Sequence, residues 1–338
     1  MLKNGVSIIV CCYNSSLRIE KTLEYLAAQV VNDISCEIIL VDNASTDNTS
    51  EVARLVWAKI QPNDITLSIV SELQPGLSNA RLKGVSASAF EFLVFCDDDN
   101  WLDENYAQNV YKLFTANLDV GIIGGWGTAQ FEDVSVKPFW FDTFYHGYAI
   151  GKQAAKETLV GNVYGAGMAI RKSILKTLTR EYPMFLNDRK KQELSSGGDS
   201  ELCYRVRIAG YKILYTPQLT FKHYIATNRL TLDYLKKLHI GFAKSFVVLN
   251  LYDKALAAEK SELSVFYWLK KALYYWGIYL KYWPKHYLAY RKCEGTKEEI
   301  LHITWKNIAI DYFAYNFKTT GIYSEVVALK NKHKFNGR

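Results

Sequence analysis

The chain has 338 residues, 49% of them hydrophobic and 22% charged, with 41 Lys+Arg against 34 Asp+Glu. That balance is ordinary for a folded protein and excludes a disordered, collagen-like or low-complexity chain. Six cysteines with no CxxC pair exclude a disulfide scaffold and disfavour structural zinc or thioredoxin-type chemistry.

Single cores stop growing at roughly 250–300 residues, so a main domain with an appendage is expected. The charge is unevenly spread. Residues 1–228 carry 22 Lys+Arg against 25 Asp+Glu, whereas 229–338 carry 19 against 9, with 22 of the 48 aromatics. Such asymmetry points to two regions and an anionic partner for the second, or to a solvated basic helical face. The opening MLKNGVSIIV enters a strand without a leader-like pattern, which reads as cytoplasmic.

Val6 to Cys12 is a nearly continuous apolar run, as expected of a strand buried on both faces of a parallel sheet. Ser15 or Ser16 can cap a helix from about Leu17 to Gln29, with Ile19, Leu23, Leu26 and Val30 as its apolar stripe. The pattern repeats with a strand from Cys36 to Val41 and a helix starting near Asp47. A third strand, Ile65 to Val70, leads through Gln74-Pro75-Gly76 into a helix from Asn79 to Ser88. FEFLVFCDDDN reads as a fourth strand ending in carboxylates, and Val120 to Gly124 as a fifth. Alternation at this spacing predicts βαβ units and an open, mostly parallel sheet flanked by helices. From Thr128 to Arg180 the pattern is less regular; beyond Thr231 it is helical, with breaks at Pro284 and around Gly295.

Polar residues gather where each strand ends: Tyr13-Asn14, Asp42-Asn43, Ser71-Glu72 and Asp97 to Asp99. Ligands of open α/β sheets bind outside these carboxyl ends, so the pattern points to one cleft. No GxGxxG follows the first strand and no GxxxxGK[ST] occurs, which disfavours a Rossmann dinucleotide site and a P-loop.

Asp97-Asp98-Asp99 is the strongest local signal. Three adjacent carboxylates repel one another, and a divalent cation such as Mg²⁺ or Mn²⁺ resolves that repulsion. The alternative is a solvated acidic turn capping a helix that starts near Trp101. In SSGGDSELCYRVRIAG, Asp199 or Ser200 can cap a helix, or Asp199 or Glu201 can serve as a general base at its start. His223 follows the strand-like KILYT and a turn at Pro217; a lone histidine is more often a core or surface residue than a ligand. Arg81 and Lys83 can meet a phosphate or simply face solvent.

Taken together, VSIIVCCYNSS, EIILVDNASTDNT, QPGLSNARLKGV, FLVFCDDDNWL, YGAGMAIRKS, GGDSELCYRVRIAGYKI and FKHY resemble, in order, the family 2 glycosyltransferases of the GT-A fold, over roughly residues 5–228. The resemblance implies a nucleotide-sugar donor, a divalent metal (Mn²⁺ or Mg²⁺) and one direct displacement that inverts the anomeric centre. It implies that Cys12 and Tyr13 lie beside the nucleobase, that Asp42 hydrogen-bonds it (usually uracil), and that Arg81 holds the base or the phosphates. It places Asp99 on the metal, Asp97 or Asp98 on the ribose or a metal-bound water, His223 near the diphosphate and metal, and Asp199 as the base. Where the family often has Glu-Asp, this chain has Gly198-Asp199.

The expected function is therefore an inverting, hexosyltransferase-type enzyme extending a polysaccharide or surface glycan, with a lipid-linked sugar as acceptor and no nucleic-acid partner. A nucleotidyltransferase is the alternative enzyme, although VCCYNSSLR lacks the Gly and Lys of its usual phosphate loop. A non-catalytic glycan-binding protein on the same fold is the alternative of another class. Domains are expected at 1–228 (catalytic) and 229–338 (basic, aromatic-rich, helical). Trp126, in Gly124-Gly125-Trp126-Gly127, is expected either to stack on an acceptor sugar or to plug the core. Acceptor choice should rest on residues 125–195. Lys270, Lys271 and Lys281 interrupt the aromatic run 264–290, so that stretch should lie on the inner face of a membrane, or pack as a bundle, rather than span.

Overall fold

The computed structural model describes residues 4–62, 64–181, 183–186, 196–257 and 262–334. The chain forms two compact units, one of 1–130, 149–183 and 211–225, the other of 131–148, 184–210 and 226–338. The last change of unit falls at Ile225–Ala226. Two earlier segments also belong to the second unit, so the units interleave along the chain.

In the first unit β1 (Gly5–Cys12), α1 (Ile19–Ala27), β2 (Ser35–Asn43), α2 (Thr49–Ile60), β3 (Ile65–Glu72), α3 (Leu77–Ala87) and β4 (Phe92–Asp97) follow the expected alternation. β5 (Asn100–Leu102), α4 (Tyr106–Ala116) and β6 (Val120–Phe131) come next. A four-residue helix, α5 (Phe141–Phe144), lies in the second unit; β7 (Thr158–Leu159), β8 (Ala169–Arg171) and α6 (Lys172–Glu181) return to the first. Then α7 (Gly198–Ile208) belongs to the second unit and β9 (Lys212–Ile225) to the first.

The sheet runs β3-β2-β1-β4-β8-β6-β9-β5, with β7 also on β9. β3, β2, β1 and β4 are parallel, while β8 is antiparallel to both β4 and β6. Burial on both faces explains why the parallel strands carry no polar alternation: Ile8, Val10, Ile38, Leu40 and Val94 are sealed against Ile19, Leu23 and Leu26 of α1 and Val110 and Phe114 of α4. Each such side chain contributes about 1.5–3 kcal/mol on burial.

Several expectations need correction. No helix starts near Trp101; Asn100, Trp101 and Leu102 pair instead with His223, Lys222 and Phe221, and α4 begins at Tyr106. β6 continues past Gly124 to Phe131. Pro217 makes no turn but sits inside β9, between the stretch paired with β7 and the stretch paired with β5, where its missing N–H costs those ladders nothing. The cap of α7 is Gly197, with φ at 112°, rather than Asp199 or Ser200.

The second unit is helical: α8 (Leu232–Ala257), α9 (Tyr267–Tyr290), α10 (Lys297–Tyr315) and α11 (Lys318–Lys334) pack together, with α7 against α8 and α11. Ala243, Val247, Ala272, Ile308 and Tyr312 form a core among them. α9 runs through Pro284 rather than breaking there, forgoing one backbone hydrogen bond. The break near Gly295 is present, between α9 and α10.

Candidate active site

The carboxyl edge of the parallel strands is where the first unit concentrates its polar side chains. Cys11 stands opposite both Val41 and Asp97, and Cys12 opposite Asp42. Asp42 and Asp97 thus flank the end of β1 from either side, two strand spacings or roughly 10 Å apart. Tyr13, 45% exposed, lies in the loop between them, while Cys12 is buried and its thiol is pushed up by desolvation.

Two loops are stitched together here. Asn14 N donates to Ser45 Oγ at 3.1 Å and Thr46 N to Asn14 Oδ1 at 2.8 Å; Ser15 N donates to Thr49 Oγ1 at 2.8 Å and Ser16 N to Asp47 Oδ2 at 3.1 Å. Asn14 and Ala44 both adopt left-handed backbone, at φ 50° and 56°, a strain tolerated because these bonds fix the loops. Asp42 accepts from Ser45 N at 3.2 Å and Ser50 Oγ at 2.5 Å. Asn43 is buried and braces the next loop, donating to the Glu72 and Gln74 carbonyls and accepting from Gly76 N. Arg81, on α3, lies 4.9 Å over the Phe95 ring.

The three aspartates diverge. Asp97 Oδ2 accepts from Asn100 Nδ2 at 3.2 Å. Asp98 turns inward, accepting from Arg18 Nη2 at 2.6 Å and from Ser15 Oγ, while its carbonyl accepts from Thr22 Oγ1 at 2.8 Å. Desolvation first, then the Asp99 charge, raises the Asp98 carboxyl, and Arg18 opposes them. Asp99 faces His223 across the β5–β9 ladder, Oδ1 to Nε2 at 3.5 Å, with Tyr224 N donating to the Asp99 carbonyl at 2.9 Å.

Asp99 and His223 are therefore the pair that fits a divalent cation: a hard carboxylate in the turn before β5 and an imidazole on β9, both nearly buried. Among the described residues no three His, Cys, Asp or Glu side chains form a fuller cage. A divalent cation held by these two side chains would keep further positions for phosphate oxygens and water.

Trp126 reaches the same edge. Ile122 and Leu93 both stand opposite Ile170, so four residues further on Trp126 is level with Asp97, two strands away. It is half-buried, outside the main apolar cluster, with Nε1 donating to the Pro217 carbonyl at 3.4 Å and Lys152 Nζ 5.3 Å from its ring centre. Nearby, Tyr106 Oη donates to the Gly167 carbonyl at 2.6 Å; Gly167 has φ 71°, and a Cβ there would meet that oxygen at 2.5 Å.

Asp199 lies in the second unit, in the first turn of α7. Glu201 is a correction. It is fully buried, with Oε1 accepting from Phe185 N, Arg205 and Tyr252 Oη and Oε2 from Leu186 N, which leaves no place for a substrate hydroxyl. Of the stretch 125–195 expected to set acceptor choice, residues 182 and 187–195, which include Ser195 of the SSGGDS run, lie outside the described residues.

Arg18 ties the loop after β1 to the acidic run, a role that no sequence pattern marks strongly. It donates to the Tyr13 and Asn14 carbonyls, Ser15 Oγ and Asp98. A cation at a helix start opposes the helix dipole, and that was the available signal.

A glycosyltransferase pattern, described as Glycosyl transferase family 2, matches residues 7–179. A proposed glycosyltransferase of Bacillus subtilis, EpsH, is 31% identical over 129 residues, which are 38% of this chain and 35% of that protein. Poly-beta-1,6-N-acetyl-D-glucosamine synthase of Staphylococcus aureus is 23% identical over 222 residues, 63% of this chain and 48% of that protein. The chain thus spans a third to a half of the length of these relatives. Among solved structures, the mannosyltransferase PcManGT of Pyrobaculum calidifontis, in complex with GDP-Man and Mn²⁺, has a similar fold. It superposes with a TM-score of 0.55 at 18% identity, covering 99% of this chain and 88% of that one. With the parallel sheet, the carboxylates at its edge and a family pattern over half its length, the chain belongs to glycosyl transferase family 2 and carries a GT-A-type fold.

Proposed function

We propose that the protein is a metal-dependent, inverting glycosyltransferase that moves a sugar from a nucleotide-sugar, a UDP-sugar in our reading, to a hydroxyl of a growing polysaccharide or lipid-linked glycan. The observation that carries the proposal is the Asp99–His223 pair, 3.5 Å apart at the carboxyl edge of the sheet, where open α/β sheets bind ligands. Domain roles follow the same reading: 1–228 catalytic, 229–338 a helical accessory region.

In this account Tyr13 and the backbone at Cys12 cradle the base, and Asp42 accepts from its ring N–H. Arg81 supplies positive charge toward the phosphates, and Asp97 holds the ribose or a water. Asp99 and His223 would hold Mn²⁺ or Mg²⁺, which supplies Lewis-acid stabilisation of the leaving diphosphate. Asp199 takes the acceptor hydroxyl proton as that oxygen bonds to the anomeric carbon and the bond from this carbon to the diphosphate oxygen breaks. No covalent sugar–enzyme bond is needed. Trp126 presents a flat apolar face to an acceptor ring. Asp98 is assigned no donor contact, because Arg18 and Ser15 already take its carboxylate.

Calorimetry with UDP and GDP in the presence of Mn²⁺ tests the base assignment. Tighter UDP binding, weakened by Asp42→Ala, supports it; preference for GDP, the nucleotide of the PcManGT complex, replaces uracil with guanine. If neither nucleotide binds, both base assignments fall.

A further inference from the structure

We infer that α9 docks the protein on the surface of a bilayer bearing anionic lipid headgroups, lying along it without crossing. The helix has two apolar faces. One is core: Ala272 and His286 are buried, Tyr275 and Tyr279 stack on Tyr312 and His302 of α10, and Tyr282 lies tilted against Trp305.

The other face is open. Phe266, Leu273, Leu280 and Leu288 are 63%, 58%, 64% and 60% exposed, and with Lys270, Gly277, Lys281 and Pro284 they recur at three- and four-residue steps. That spacing puts them on one stripe of a 24-residue helix about 36 Å long, with Phe266 at its N-cap. Trp283 and Tyr287, both about half exposed, border it. Large apolar side chains set in one line along a helix are a docking surface rather than scattered exposure.

Charge selects the occupant. From Leu263 to Cys293 there is no Asp or Glu, while Lys270, Lys271, Lys281, Lys285, Arg291 and Lys292 all fall in that stretch. Lysine is depleted in protein–protein interfaces, whereas Trp, Tyr and Lys around an apolar stripe suit the headgroup boundary of a bilayer, where lysine stems reach up to phosphate. No helix among the described residues is long and apolar enough to cross a membrane, so the attachment is along the surface. The excess of basic residues in 229–338 adds a long-range pull toward anionic lipid.

Flotation of the full chain with vesicles tests this without donor or acceptor, so it stands or falls apart from the transferase reading. The probes are phosphatidylcholine vesicles, with and without roughly one third phosphatidylglycerol, the anionic fraction setting the surface potential. The expected result is flotation with the anionic vesicles, at least ~10-fold weaker with the neutral ones and weaker at high salt. The double substitution Leu273→Glu, Leu280→Glu should abolish flotation while the melting temperature stays unchanged; should it misfold, Lys270→Gln with Lys281→Gln serves instead and should weaken flotation severalfold. Wild-type protein that fails to float, or folded variants that float as well as wild type, overturn the inference. So does sedimentation equilibrium showing that this face is closed in a dimer which the leucine substitutions dissociate.

Discussion

Arg18 and Asp98 form an ion pair at 2.6 Å, linking the start of α1 to the middle of the acidic run that ends β4. Through the same guanidinium the loop carbonyls of Tyr13 and Asn14 are held, so the pair sets the shape of the loop proposed to cradle the base. Asp98→Ala should therefore destabilise the first unit by about 1–3 kcal/mol, since a partly buried cation loses its partner. It should also weaken nucleotide binding. Asp99→Ala should leave the melting temperature nearly unchanged and remove metal-dependent binding. Chemical unfolding combined with Mn²⁺ titration of both variants decides it; an Asp98→Ala protein that is stable but blind to metal reverses the assignment.

Glu201 and Asp199 sit two residues apart, with opposite expectations. Glu201→Gln disturbs a buried network with Arg205 and Tyr252, and a loss of about 3–5 kcal/mol in stability is expected. Asp199→Asn should fold normally, bind donor nearly as wild type and turn over at least ~10²-fold more slowly, as for loss of a general base. Melting curves and single-turnover kinetics read both. Near-normal turnover by Asp199→Asn would move the base to another residue.

Trp126→Ala should keep fold and nucleotide affinity, because the indole is only half-buried and lies outside the main cluster. Its expected signature is a raised acceptor KM with little change in donor KM. If the variant unfolds, or loses donor and acceptor binding equally, the ring is a structural plug.

Burial holds the His239 imidazole down to about 4, and burial likewise lowers His286 and His302, all in the second unit. As pH falls below the unfolded value near 6.5, the unfolded chain takes up a proton that folded His239 refuses until about 4. Stability from His239 is thus full above about pH 6.5 and is lost between there and about pH 4, and His286 and His302 act in the same direction. Melting temperatures across this range should fall, and His239→Leu should flatten part of the slope. A slope unchanged in that variant would remove His239 as a contributor.

The parallel half of the fold was legible because its strands are buried on both faces and therefore spelled as unbroken apolar runs. β5 was not: Asn100, Trp101 and Leu102 carry no period of their own, and their strand form comes from pairing with β9, more than a hundred residues away. Pro217 and Pro284 were read by their local preference, which packing on either side overrides. Within the site, the resemblance named Asp99 and His223, and the ladder between β5 and β9 brings them together. Three identical letters in a row could not tell Asp98, turned inward to Arg18, from its neighbours. Nor does a sequence state that Glu201 is sealed in while Asp199 lies on the first turn of the same helix.

The most direct test of the central claim is release of nucleoside diphosphate from a panel of nucleotide-sugars, followed with Mn²⁺ and again in excess chelator. The account predicts turnover of at least one donor with metal, none with chelator, and none by Asp99→Ala or His223→Ala under either condition. Undiminished turnover in chelator, or by both variants, would contradict it.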